Sequence, residues 1–77
     1  MALKVLKLRQ QQTIKRTALQ KLRDKAAQLT TREAELEQAI QEAATEEDLQ
    51  AVEQAVSELD TQTQENAAAI EALEQEI

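Results

Sequence analysis

Apolar residues recur along this sequence in two heptad registers that do not join, and the discontinuity limits the fold more than any other feature. In the second half, Leu49, Val52, Val56, Leu59, Thr63, Asn66, Ile70, Leu73 and Ile77 are spaced alternately three and four residues apart, the seam of a coiled coil. In the first half, Leu19, Leu22, Ala26, Leu29, Glu33, Leu36, Ile40 and Ala43 keep the same rhythm. Continuing the first register past Ala43 places Glu47 and Gln50 on the seam. The phase therefore resets between Ala43 and Leu49.

The segment Ala44-Thr45-Glu46-Glu47-Asp48 supplies the reset. Thr45 is suited to accept a hydrogen bond from the backbone N–H groups that a first helical turn leaves unpaired, and the three acids that follow favour the positive end of the helix dipole. The spacing predicts one domain over residues 1–77: a helix over 2–43, a turn at 44–46 and a second helix over 46–77. One unbroken helix with a phase shift is the competing arrangement, because no glycine marks a C-cap. The acidic triplet does not read as a calcium loop, which needs alternating oxygen ligands and a glycine-assisted bend.

A hairpin makes a numerical demand that the sequence meets. If the chain folds back at residue 46, facing seam residues have numbers adding to 92, and Ala43 with Leu49, Ile40 with Val52, Leu36 with Val56, Leu22 with Ile70 and Leu19 with Leu73 all comply. The alternation also sets an a position of one helix against a d position of the other, as antiparallel pairing requires. The predicted fold is all-α, an antiparallel helical hairpin with coiled-coil packing, drawn out to roughly 60 Å by a first arm of about 40 residues.

The middle of that rod is weak on paper. Ala26 faces Asn66, Leu29 faces Thr63 and Glu33 faces Leu59, so three successive layers contain a polar or very small residue. The dipeptide Thr30-Thr31 followed by Glu33 is also capable of forming a capping box. A kink or break near Thr30 is expected. For Asn66 and Thr63, setting the helix register is preferred to ligand binding. Beside the seam, Arg16 and Glu74 are placed to attract and Glu37 and Glu53 to repel, though such exposed pairs contribute only about 0–1 kcal/mol.

Composition excludes more than it assigns. The 77 residues contain no Cys, His, Trp, Tyr, Phe, Gly or Pro, so the side chains that active sites use for acid/base work near neutrality, metal binding and stacking are missing. No enzyme activity and no cofactor are expected. Leu, Ile and Val together number 17 against 14 Ala, too little bulk for a broad core but suited to long helices. Near the N-terminus the longest apolar run is three residues, so neither a signal-peptide core nor a membrane span is expected.

The net charge of −6 conceals two opposed halves. Residues 1–28 carry eight basic residues against Asp24, and from Leu29 onward Arg32 faces fourteen acids. Such a chain satisfies itself by folding back, or offers its basic arm to an anionic partner. Since Lys15 is already opposite Ile77, residues 1–14 overhang the hairpin. Leu3 and Leu6 share a helical face there, Val5 and Leu8 are beside them, and Lys4, Lys7 and Arg9 surround them. Docking of this arm on another protein chain is the plainest use. Membrane-surface binding lacks aromatic anchors, and specific nucleic-acid recognition lacks stacking residues, leaving only non-specific phosphate contact.

The opening Met-Ala-Leu-Lys, the Leu/Lys/Arg-rich first helix, the junction Leu29-Thr30-Thr31-Arg32-Glu33-Ala34-Glu35-Leu36 and the restart Thr45-Glu46-Glu47-Asp48 together resemble the N-terminal region of tailed-phage major capsid proteins, the scaffold-like delta domain that precedes the shell domain. The resemblance covers essentially all 77 residues. It implies a helical segment in the host cytoplasm, inside the immature shell, which guides association with other capsid subunits as a homo-oligomer and is removed by the maturation protease. The shell domain of that family does not follow here, as expected of a segment of a longer capsid protein. The expected function is thus that of a procapsid assembly element. A generic coiled-coil adaptor for a partner helix is the alternative, and a nucleic-acid-binding arm comes third.

Overall fold

In the computed structural model, which describes residues 2–77, two antiparallel helices pack into a rod 67 × 15 × 13 Å. Helix α1 is Ala2–Glu42 and helix α2 is Glu46–Glu76. Among the described residues there are no strands. The chain is an all-α helical hairpin. With 41 residues α1 is roughly 60 Å long and with 31 residues α2 roughly 46 Å, so α1 projects beyond its partner at the end opposite the turn.

The turn is made without any residue at positive φ. Helix α1 closes with the Ala43 N–H on the Ile40 carbonyl at 3.3 Å, and Thr45 then takes an extended conformation, φ −132° and ψ 163°. Its hydroxyl oxygen accepts from the Asp48 N–H at 3.2 Å, while the Asp48 carboxylate reaches back to accept from the Ala44 N–H at 3.3 Å. The exchange resembles a capping box, shifted one residue outward and made with Asp. Glu46, Glu47 and Asp48 occupy the first turn of α2, where the dipole favours negative charge.

The seam closes most tightly in its middle. Leu29, Leu36 and Leu59 form the buried core, with Val52, Ala55 and Val56 packed against it. Leu19 and Asn66 are buried nearer the open end. Leu22, Val52, Val56, Ile70 and Leu73 are half-buried, and Ile40 and Leu49 are exposed at 45% and 41%. The seam is therefore less covered next to the turn, where Ala39 and Ala43, both half-buried, fill little space.

Two local expectations are corrected. The first helix does not break at Thr30: α1 runs through it as one element, and the Thr30 and Thr31 hydroxyls donate to the Ala26 and Ala27 carbonyls at 3.1 and 3.2 Å. An N-cap residue needs a non-helical backbone, and Thr30 and Thr31 both keep the helical one. Glu33, though at a seam position, is exposed, its long side chain carrying the carboxylate outward past the Leu29–Leu36–Leu59 cluster.

Candidate association surface

The overhanging arm presents its apolar side chains to solvent. Leu3 is 79% exposed, and Leu6, Leu8, Val5 and Ile14 are all at least half exposed. Lys4, Lys7 and Arg9 are exposed too, and among the described residues none of the three forms an ion pair. The combination is a basic helix with uncovered leucines, continuous with the hairpin as the first turns of α1.

Helical geometry separates these apolar residues into two stripes, which the initial grouping of Val5 and Leu8 beside Leu3 and Leu6 missed. At 100° per residue the two pairs are centred roughly 160° apart. Leu3 and Leu6 point one way with Gln10 and Ile14. Val5 and Leu8 instead continue the seam register backward from Leu19 through Lys15 and Gln12. Extending the heptad count below Leu19 would have revealed it. Gln12 and Lys15 are half-buried, while Leu8 and Val5 are exposed, so the seam stripe emerges from cover along this stretch.

A groove lies on one side of the hairpin. Two open depressions, of about 450 Å³ and 190 Å³, share Glu33 and Thr63 as lining residues. On α1 their walls include Ala26, Thr30, Glu33, Glu37 and Ile40, and on α2 Val56, Asp60, Thr63, Ala67 and Ile70. Both sets follow the spacing 4, 3, 4, 3, so each is a single stripe and the depressions form one continuous furrow. Its floor is the leucine core. Its rim carries Glu33, Glu37 and Asp60, none of which has an ion-pair partner among the described residues.

Asn66 is the buried polar residue of the seam. It is 6% exposed and donates from Nδ2 to the Leu22 backbone carbonyl at 3.1 Å. Ala26, opposite it in the register, is short enough to let the amide approach the α1 backbone. No buried side-chain N or O atom lacks a partner among the described residues, so the seam holds no unsatisfied polar group waiting for a ligand. Glu74 pairs with Arg23, at 3.4 Å, and not with Arg16 as the register suggested. Arg16 is thereby left for other partners. No described helix is long and apolar enough to cross a membrane.

No family model matches the chain, and no curated protein or solved structure shows a significant match to it. The geometry of the arm and groove stands as the basis for a functional reading.

Proposed function

We propose that this chain is a procapsid assembly element, a rigid helical hairpin that guides the association of capsid subunits by docking its basic N-terminal arm on neighbouring copies. The observation that carries this is the exposure of Leu3, Leu6 and Leu8 on a helix continuous with the hairpin. Fully burying a leucine contributes roughly 1.5–3 kcal/mol, and repetition around a closed symmetric ring multiplies each contact. The two opposed stripes suit a bridging role, since one helix then meets a neighbour on either side. Lys4, Lys7 and Arg9 draw the arm toward acidic surfaces, which the rest of the chain supplies in excess. The resemblance to the capsid delta region adds the setting: the interior of the immature shell in the host cytoplasm, with proteolytic removal at maturation.

The test is to replace Leu3, Leu6 and Leu8 together with Ser in the full-length capsid protein and count closed particles by electron microscopy. The three side chains lie outside the buried core, so the hairpin should stay helical while particle yield falls. A normal yield of correctly sized procapsids would overturn the docking role.

A further inference from the structure

One face of α1 is complementary to itself. The groove stripe on α1, Ala26, Thr30, Glu33, Glu37 and Ile40, repeats three heptads earlier as Val5, Arg9, Gln12, Arg16 and Leu19. Residues separated by whole heptads keep the same side of a supercoiled helix, so the two stretches face the same way. The charges are opposite: Arg9 and Arg16 near the N-terminus, Glu33 and Glu37 toward the turn. All four are exposed and without ion pairs among the described residues.

We infer that this face binds a second copy of the chain across a two-fold axis, α1 against α1 and antiparallel. With the axis near residues 22 and 23, facing residues have numbers adding to 45 or 46. Val5 then meets the partner's Ile40, Arg9 meets the partner's Glu37, Gln12 meets the partner's Glu33 and Arg16 meets the partner's Thr30, each contact twice, while Arg23, paired with Glu74 of its own chain at 3.4 Å, lies at the axis. The geometry is isologous and closed, so it makes a dimer and not a filament. It also covers Ile40, which the turn end of the seam leaves 45% exposed. Charge selects the occupant: an antiparallel copy brings Arg9 to Glu37 at both ends of the contact, whereas a parallel copy sets like against like. The dimer rests on the proposal that the chain is an association element, but it uses the Val5–Arg9 stripe and leaves Leu3 and Leu6 free for other neighbours.

A charge-exchange experiment on the intact chain tests it. The acidic variant carries Arg9→Glu and Arg16→Glu; the basic variant carries Glu33→Lys and Glu37→Lys. Sedimentation equilibrium should show wild-type dimers, a dimer dissociation constant raised about tenfold or more for each variant alone, and recovery when the two are mixed, because both facing 9/37 pairs are then opposite in charge. Circular dichroism checks that both stay helical, as these exposed positions should allow. Since the chain has no cysteine, a variant with Val5→Cys and Ile40→Cys should also form a covalent dimer on mild oxidation. A wild-type chain that stays monomeric, or a mixture that fails to recover, overturns the inference. Dimers lost with the Leu3, Leu6 and Leu8 substitutions but indifferent to the charge exchange would overturn it too, while leaving the arm-docking proposal standing.

Discussion

Asn66 on α2 holds the backbone of α1 by a single cross-helix hydrogen bond, from its Nδ2 to the Leu22 carbonyl at 3.1 Å. A helical carbonyl has a second lone pair, so the bond is made without removing Leu22 from the α1 ladder. A buried amide at a seam position permits one alignment of the helices and penalises the rest. Leucine there should raise the melting temperature, by an amount equivalent to about 1–2 kcal/mol, while loosening the register. Thermal denaturation by circular dichroism, with sedimentation velocity for the oligomer distribution, checks both parts; a variant that is more stable and still a single species would deny Asn66 its aligning role.

The core should respond steeply to truncation. Leu29, Leu36 and Leu59 are the three residues of its buried cluster, and each replacement by Ala is expected to cost about 2–4 kcal/mol. In a two-helix seam that is enough to melt the hairpin. The far-ultraviolet signal at 25 °C should fall for each of them, whereas Ile40→Ala, at the exposed turn end of the seam, should change it little.

The turn rests on the exchange between Thr45 and Asp48. Thr45→Ala removes the acceptor for the Asp48 N–H and should destabilise the hairpin by about 1 kcal/mol. Because the two residues act together, Thr45→Ala with Asp48→Ala should cost less than the sum of the single changes, which urea denaturation of the four proteins measures.

Glu33 separates what the heptad pattern reports from what it omits. The pattern placed it against Leu59, which makes Glu33→Leu a stabilising change; its exposure predicts a shift within about 0.5 kcal/mol for the monomer. Melting curves at low protein concentration distinguish the two.

The same contrast holds along the chain. The hairpin was legible because register is a property of Cα positions, and the phase reset with its constant pairing sum concerns those alone. The direction of a long or rotatable side chain is set by its surroundings and not by heptad position. Thr30 and Thr31 carried a capping pattern, yet both keep a helical backbone and their hydroxyls donate to carbonyls four residues back in the same helix. Arg23 reached Glu74 diagonally, where the register offered Arg16. The amide of Asn66 found the Leu22 carbonyl, a backbone partner that no residue type announces. The two stripes of the arm were legible in principle, by counting heptads backward from Leu19.

The hairpin underlies both the exposed arm and the self-complementary face, and a distance measurement tests it most directly. Spin labels at Lys25→Cys and Ala67→Cys, exposed positions on facing stretches of α1 and α2, should be roughly 15–25 Å apart in the hairpin, allowing for linkers on helices packed 8–10 Å apart. Dilution with unlabelled chain restricts the signal to distances within one molecule. The account predicts a single short distance that persists on dilution. A distance near 63 Å, about 1.5 Å for each intervening residue of a continuous helix, would contradict it.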